Sequence, residues 1–331
     1  MGTSNSPVVS AANWPYPRYI AHRGAGKLAP ENTLSAFRLG ASFGYRMFEF
    51  DVKLSADGKP ILMHDATLDR TTSGAGRVDG LTLGELAQLD AGAWLSPAYA
   101  GEPVATLAAV ARYTQANGLH SNIEIKPVPG REAQTGAAVA LDAQVLWRGA
   151  GVPPLLSSFS EEALSAARQA VPELPRALLV DTLPRDWLER ARTLGCVALD
   201  ANHKVLDAQL IAAAHAAGLK VLSYTVNDRE RARELLAWGL DGLITDAVDR
   251  IEAAARLAWR RCLATTVMIL HHEKSPLVLG KRAMLLRVKT KVLPRTTCPF
   301  GPCDGTFTSA PLWCRLSKGR PLGSQELFAI R

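Results

Sequence analysis

From Tyr19 to about residue 258, short apolar runs alternate with longer amphipathic stretches. The clearest pattern is M-F-E-F-D-V-K-L at 47–54. Phe48, Phe50 and Val52 fall on one face of a strand, and Glu49, Asp51 and Lys53 on the other. Asp57-Gly58 then signals a turn, and an apolar run at 60–63 ends at His64-Asp65. A hairpin here returns His64 towards the two carboxylates. Further strands are predicted at 19–24, 121–127, 154–159, 176–180, 196–200, 221–226 and 242–246. Helices are predicted from an Asn32 or Thr33 cap to about Phe43, and at 107–117, 133–147, 161–169, 186–194, 207–217, 228–238 and 247–259.

Eight strands each followed by a helix predict a parallel sheet. Eight repeats in roughly 250 residues predict a closed (β/α)₈ TIM barrel. A doubly wound open sheet is the runner-up, weakened because no glycine-rich phosphate fingerprint follows the first strand. Residues at about 65–103 lack steady periodicity and read as a small subdomain inserted after the second strand. Residues 1–18 lack a basic, then apolar, leader pattern and read as a short mobile arm. The barrel is expected over 19–259, with a C-terminal extension at 260–331.

Charge separates the extension from the rest. The chain carries a net charge of +7, yet residues 260–331 hold 13 Lys+Arg against 3 Asp+Glu. The first 259 residues hold 25 basic against 28 acidic residues. Four of the five cysteines, Cys262, Cys298, Cys303 and Cys314, also lie in the extension, leaving Cys196 alone in the body. One cysteine in a body of that size fits a reducing compartment, so a cytoplasmic location is expected. The tail cysteines lack the C-x₂-C pairing and following histidine of a zinc site. No apolar run approaches ~18 residues, so no membrane span is expected. Nucleic-acid binding through the basic tail is the reading from another class, and is not the one favoured here. The pattern sets no oligomeric state.

A barrel covered by helices needs an apolar outer face, so Glu49, Asp51, Glu124 and Lys126 must point inward near the C-terminal mouth. His22, Arg23, Phe159, Tyr224, Asn227 and Asp246 belong to the same end. Three carboxylates drawn together repel unless a cation joins them, and an all-oxygen set selects a hard ion, Mg²⁺ or Ca²⁺. The plain alternative pairs each carboxylate with a lysine or arginine. His22 and His64 suit proton transfer near neutral pH. Arg23 and Lys126 add the positive charge that a phosphoryl transition state requires. Asn122 and Asn227 are either donors to substrate hydroxyls or loop and cap residues.

These residues resemble the glycerophosphodiester phosphodiesterase family of the cytosolic bacterial type. The resemblance rests on H-R-G at 22–24, P-E-N-T at 30–33, F-E-F-D-V at 48–52, D-G-K-P-I-L-M-H-D at 57–65, E-I-K at 124–126, S-S-F at 157–159, Y-T-V-N at 224–227 and D-G-L-I-T-D at 241–246. It implies a (β/α)₈ barrel with a small insertion. It also implies metal-dependent hydrolysis of glycerophosphodiesters to sn-glycerol 3-phosphate and an alcohol. Glu49, Asp51 and Glu124 match the metal ligands for one divalent cation, Mg²⁺ or Ca²⁺. His22 and His64 match the acid–base pair, and Arg23 and Lys126 the phosphate contacts. Phe159 and Tyr224 would line the mouth beside the substrate. Tyr224 stands where the family commonly has Trp, and Ala247 where Pro usually follows the last T-D. A lysophospholipase D-like lipid phosphodiesterase is the rival within the class. Its greasy entrance would come from Trp94, Leu95 and nearby leucines, which are expected to pack internally.

Overall fold

The computed structural model describes residues 9–251. The strands in chain order are β1 (Tyr19–His22), β2 (Met47–Leu54), β3 (Pro60–Leu62), β4 (His120–Ile125), β5 (Leu155–Ser158), β6 (Arg176–Val180), β7 (Ala198–Asn202), β8 (Lys220–Tyr224) and β9 (Gly242–Thr245). All except β3 are parallel and run in the order β1-β9-β8-β7-β6-β5-β4-β2. Pairing of β1 with both β9 and β2 closes the ring. That closure excludes the open doubly wound sheet and makes the fold a (β/α)₈ barrel. β3 pairs antiparallel with β2, with Val52 opposite Leu62, as the turn at Asp57-Gly58 predicts.

The helices are α1 (Leu34–Ser42), α2 (Leu83–Leu86), α3 (Leu107–Ala116), α4 (Glu132–Leu146), α5 (Glu161–Ala170), α6 (Trp187–Thr193), α7 (Ala208–Ala216) and α8 (Arg229–Ala237). All but α2 follow barrel strands. Short polar side chains start several of them: Thr33, Thr106, Ser160, Asp207 and Asp228 each accept from a backbone N–H in the first turn. Of the last predicted helix, residues 247–251 form only a turn, and the remainder lies outside the described residues. The basic extension at 260–331 lies outside them too.

The outer face of the sheet is apolar, as the alternation of β2 requires. Phe37 of α1 packs on Phe48 and Phe50 at ring separations of 5.2 and 5.4 Å. Inside the barrel, Ile20, Met47, Leu155, Ala177, Ala198, Leu222 and Ile244 form one apolar layer, joined by Val9 and Tyr16. Residues 9–18 therefore do not hang free: Tyr16 is buried and donates to the Pro153 carbonyl at 2.9 Å. The apolar layer fills the barrel interior away from its mouth, so the inward charges collect at the C-terminal ends of the strands.

Between β3 and α3 the chain builds a small core of its own from Met63, Leu68, Val78, Leu86, Ala91 and Val104. Leu81, Leu83 and Leu89 pack against that core. Trp94 and Leu95, expected inside it, are 39% and 37% exposed instead. Trp94 Nε1 donates to the Ala91 carbonyl at 3.0 Å, which satisfies the indole without burying its ring.

Candidate active site

Strand parity and parallel register assemble the carboxylates. Glu49 and Asp51 share the inward face of β2, and Asp51 lies opposite Glu124 on β4. All three are buried, and an oxygen from each lies within 4.8 Å of the others. Two cations reach the cluster. Lys126 Nζ is 3.0 Å from both Asp51 and Glu124. Arg23 Nε is 3.3 Å from Asp51, while its Nη1 donates to Glu31 at 2.9 Å. The ion pairing expected as the plain alternative therefore coexists with the cluster. Two cations do not balance three carboxylates, and Glu49 Oε1 is buried with no hydrogen-bond partner.

The electrostatics reflect that imbalance. Burial raises the Glu49 carboxyl well above its usual range, and the charges of Asp51 and Glu124 add to this. Glu124 is pushed up to about 7, by burial first and then by Asp51. Burial also opposes ionisation of Asp51, but Lys126, Arg23 and His64, with the Asn32 amide, outweigh it and hold Asp51 below the usual range. A divalent cation would relieve the excess negative charge. Three hard oxygen donors with an orphaned oxygen among them fit such an ion.

Asn32 deserves its place beside the ligands on geometry alone. It is buried and holds a left-handed backbone, with φ at 61°. Its Nδ2 donates to Asp51 Oδ2 at 2.9 Å and its Oδ1 accepts from the Asp51 backbone N–H at 3.2 Å. Arg23 is also left-handed, with φ at 50°, in the turn that leaves β1. Conformations of this kind persist where surrounding contacts over-determine them. Gly26 completes the turn, since a Cβ there would lie 2.2 Å from the Asp246 Cα.

Each histidine is held through Nδ1 by a carboxylate. His22 Nδ1 lies 2.6 Å from Asp246 Oδ1, and its Nε2 faces Glu49 at 3.7 Å. Asp246 is fixed in turn by Asn227, whose Nδ2 donates at 2.9 Å and whose Oδ1 accepts the Asp246 N–H at 2.8 Å. Asn227 is thus a strut for Asp246 rather than a free donor. His64 Nδ1 lies 2.6 Å from Asp65 Oδ1, and Arg70 Nε donates to Asp65 at 2.6 Å. Arg70 also clasps Glu31 with bonds of 2.7 and 2.8 Å. Anchoring Nδ1 leaves Nε2 as the free nitrogen of each ring. Burial lowers the His64 pKa; Asp51 opposes this, while Arg23 and Lys126 add to it.

His22, Glu49, Glu124, Phe159 and Tyr224 line one cleft at the mouth. Phe159 and Tyr224 meet edge to face at 5.6 Å. The Tyr224 hydroxyl donates to the Val180 carbonyl at 2.9 Å. His64 lines a separate, smaller cavity with Glu31 and Asn32. Asn122, opposite Glu49 in register, is buried with both side-chain polar atoms unpartnered. Asp200 on β7 also lines the mouth cleft, fully buried, with its pKa well above the usual range from burial and then Glu124. Sequence reasoning assigned no role to Glu31, Asp65, Arg70 or Asp200, and offered Asn32 only as an alternative to Thr33 for the cap of α1, which Thr33 provides. Asn32 and Asp65 lay inside the P-E-N-T and M-H-D motifs, and Asp200 lies on the inward parity of its strand.

The glycerophosphoryl diester phosphodiesterase family matches residues 22–250. A glycerophosphodiester phosphodiesterase of Bacillus subtilis is 32% identical over 248 residues, covering 70% of this chain and 83% of that protein. One from Caldanaerobacter subterraneus is 32% identical over 235 residues, covering 69% and 93%. Among solved structures, an Oleispira antarctica phosphodiesterase in complex with the product sn-glycerol-3-phosphate is 39% identical. It superposes with a TM-score of 0.68 and covers 71% of this chain and 95% of that one.

Proposed function

This chain belongs to the glycerophosphoryl diester phosphodiesterase family, and we propose that it hydrolyses glycerophosphodiesters to sn-glycerol 3-phosphate and a free alcohol such as choline or ethanolamine. It is a phosphodiesterase, a hydrolase of the TIM-barrel type. The observation that carries the substrate reading is the buried Glu49–Asp51–Glu124 cluster, with oxygens within 4.8 Å of one another, beside two carboxylate-anchored histidines.

Glu49, Asp51 and Glu124 would hold one divalent cation, Mg²⁺ in this reading, with Ca²⁺ the other ion such donors accept. Bound there, the ion supplies positive charge to the phosphate and lowers the pKa of a hydroxyl it contacts. The chain's own groups supply the rest. Arg23 and Lys126 bring further positive charge to the phosphate oxygens. One histidine takes the proton of the glycerol hydroxyl next to the phosphate, whose oxygen attacks phosphorus. The other gives a proton to the departing alcohol oxygen as its bond to phosphorus breaks. The product of that step is a cyclic phosphate, which water opens with the histidine roles reversed. Direct attack by water is the alternative, and a transient cyclic phosphate signal in phosphorus NMR separates the two. Asp246 and Asp65 orient the rings throughout.

The test is turnover of glycerophosphocholine by the purified chain after chelation, then with Mg²⁺ or Ca²⁺ restored. Equimolar choline and glycerol 3-phosphate are expected with metal and not without it. Absence of product with either ion would overturn the proposal. The exposure of Trp94 and Leu95 favours a second reading, lipid-directed cleavage. The Ala91 carbonyl that holds Trp94 belongs to a residue lining the His64 cavity. Lysophosphatidylcholine as substrate in the same assay tests it. Among the described residues no helix is long and apolar enough to cross a membrane.

A further inference from the structure

One carboxyl of the cleft takes no part in the proposed reaction. Asp200 stands on β7 between Leu179 of β6 and Leu222 of β8 in register. Its side chain lines the same cleft as His22, Glu49 and Glu124. It is 0% exposed, and among the described residues neither of its carboxyl oxygens has a hydrogen-bond partner. Ser157 lines the cleft as well, and its buried Oγ is likewise unpartnered. Asp200 is not part of the cation cluster, which comprises Glu49, Asp51 and Glu124. Among the described residues no cation compensates it.

Buried polar groups in folded proteins are overwhelmingly hydrogen-bonded, and a buried carboxyl without a partner is strongly disfavoured. An unpartnered carboxyl and an unpartnered hydroxyl from two residues lining one cleft match a ligand that carries a hydroxyl of its own. The proposed reaction supplies such a group. In a glycerophosphodiester the cation site and the histidines engage the phosphate and the hydroxyl beside it. The terminal hydroxyl of the glycerol arm has no partner in that account.

We propose that Asp200, assisted by Ser157, binds the terminal hydroxyl of the glycerol arm and so selects diesters in which that hydroxyl is free. This rests on the proposed function and deepens it. The hydroxyl donates to a carboxyl oxygen of Asp200 and accepts from Ser157 Oγ–H. A 1-acyl lysophospholipid carries an ester at that position. It offers no donor to Asp200. Asp200 therefore disfavours the lipid-directed reading.

The experiment compares glycerophosphocholine with 2-hydroxypropyl phosphocholine, using the full chain with its divalent cation. The second diester keeps the hydroxyl next to the phosphate and lacks only the terminal one. The wild type is expected to favour glycerophosphocholine by about 10- to 100-fold in kcat/KM, with the difference in KM, as for a buried polar group left without its hydrogen bond. Asp200→Ala is expected to erase the preference by acting on glycerophosphocholine alone, without lowering Tm. Asp200→Asn, which still offers an acceptor, keeps most of the preference, and Ser157→Ala reduces it in part. A wild type that treats both diesters alike would mean that the cleft holds only water there, and would overturn the proposal. So would an Asp200→Ala variant that slows both equally. A wild type that turns over neither diester would overturn the proposed function, and this inference with it.

Discussion

Asn32 tests whether the position of Asp51 is set locally by its strand or by a contact across the fold. Asn32→Ala removes an amide donor 2.9 Å from the Asp51 carboxylate and the acceptor of its backbone N–H at 3.2 Å. A hydrogen bond to a charged group contributes about 1.5–3 kcal/mol, and an N–H left unpaired in the interior costs about 1–3 kcal/mol. The backbone at this position is left-handed, with φ at 61°. That conformation costs a residue with a Cβ and no local hydrogen bond about 1–2 kcal/mol. The low ends of these ranges total about 3.5 kcal/mol, a large share of the ~5–15 kcal/mol that holds a typical domain together. Urea denaturation in chelator reads this loss without interference from bound metal. Asn32→Gly tolerates the left-handed backbone but restores neither hydrogen bond, so most of the loss is expected to persist. If Asn32→Gly unfolded like the wild type, or Asn32→Ala lost less than about 1 kcal/mol, the contact with Asp51 would not support the fold as argued.

His22→Ala and His64→Ala are each expected to lower kcat by about 10²–10⁴-fold in choline release, as for loss of a proton-transfer group. Full turnover by either variant would remove that histidine from the mechanism. Away from the site, Asp241 accepts from Lys220 Nζ at 2.8 Å, the Val221 N–H at 2.9 Å and His215 Nε2 at 2.7 Å. Burial resists its ionisation, but these partners hold its pKa below the usual range. The stability it contributes is therefore present above the ordinary aspartate range near ~4 and lost as pH falls through its lowered folded value. Asp241→Asn is expected to flatten the acid limb of urea midpoint against pH, and an unchanged limb would refute this.

Local patterns determined much of the architecture. Period-two alternation in β2 separated its apolar face from its charged one, and Thr33, Asp207 and Asp228 marked helix starts, because capping and side-chain parity involve residues only a few positions apart. The inward direction of Glu49, Asp51 and Glu124 followed from parity plus the need of a helix-covered barrel for an apolar exterior. The tertiary structure decided what depends on distant segments. Closure of β1 on β9 excluded the open sheet. Asp246 reaches His22 across 224 positions, and Lys126 reaches Asp51 across 75. Neither pairing has a periodic signature. Residues 1–18 read as a short mobile arm because they lack a leader pattern; the interior layer that buries Val9 and Tyr16 draws on seven different strands, which no local pattern shows. Trp94 and Leu95 read as core for the opposite reason, since hydrophobicity states a preference for burial and only the shape of the inserted subdomain sets how many side chains it can cover. Asp200 shows the same division in one residue. Its place in the strand alternation pointed it inward, but that no partner meets it there is a property of the assembled barrel.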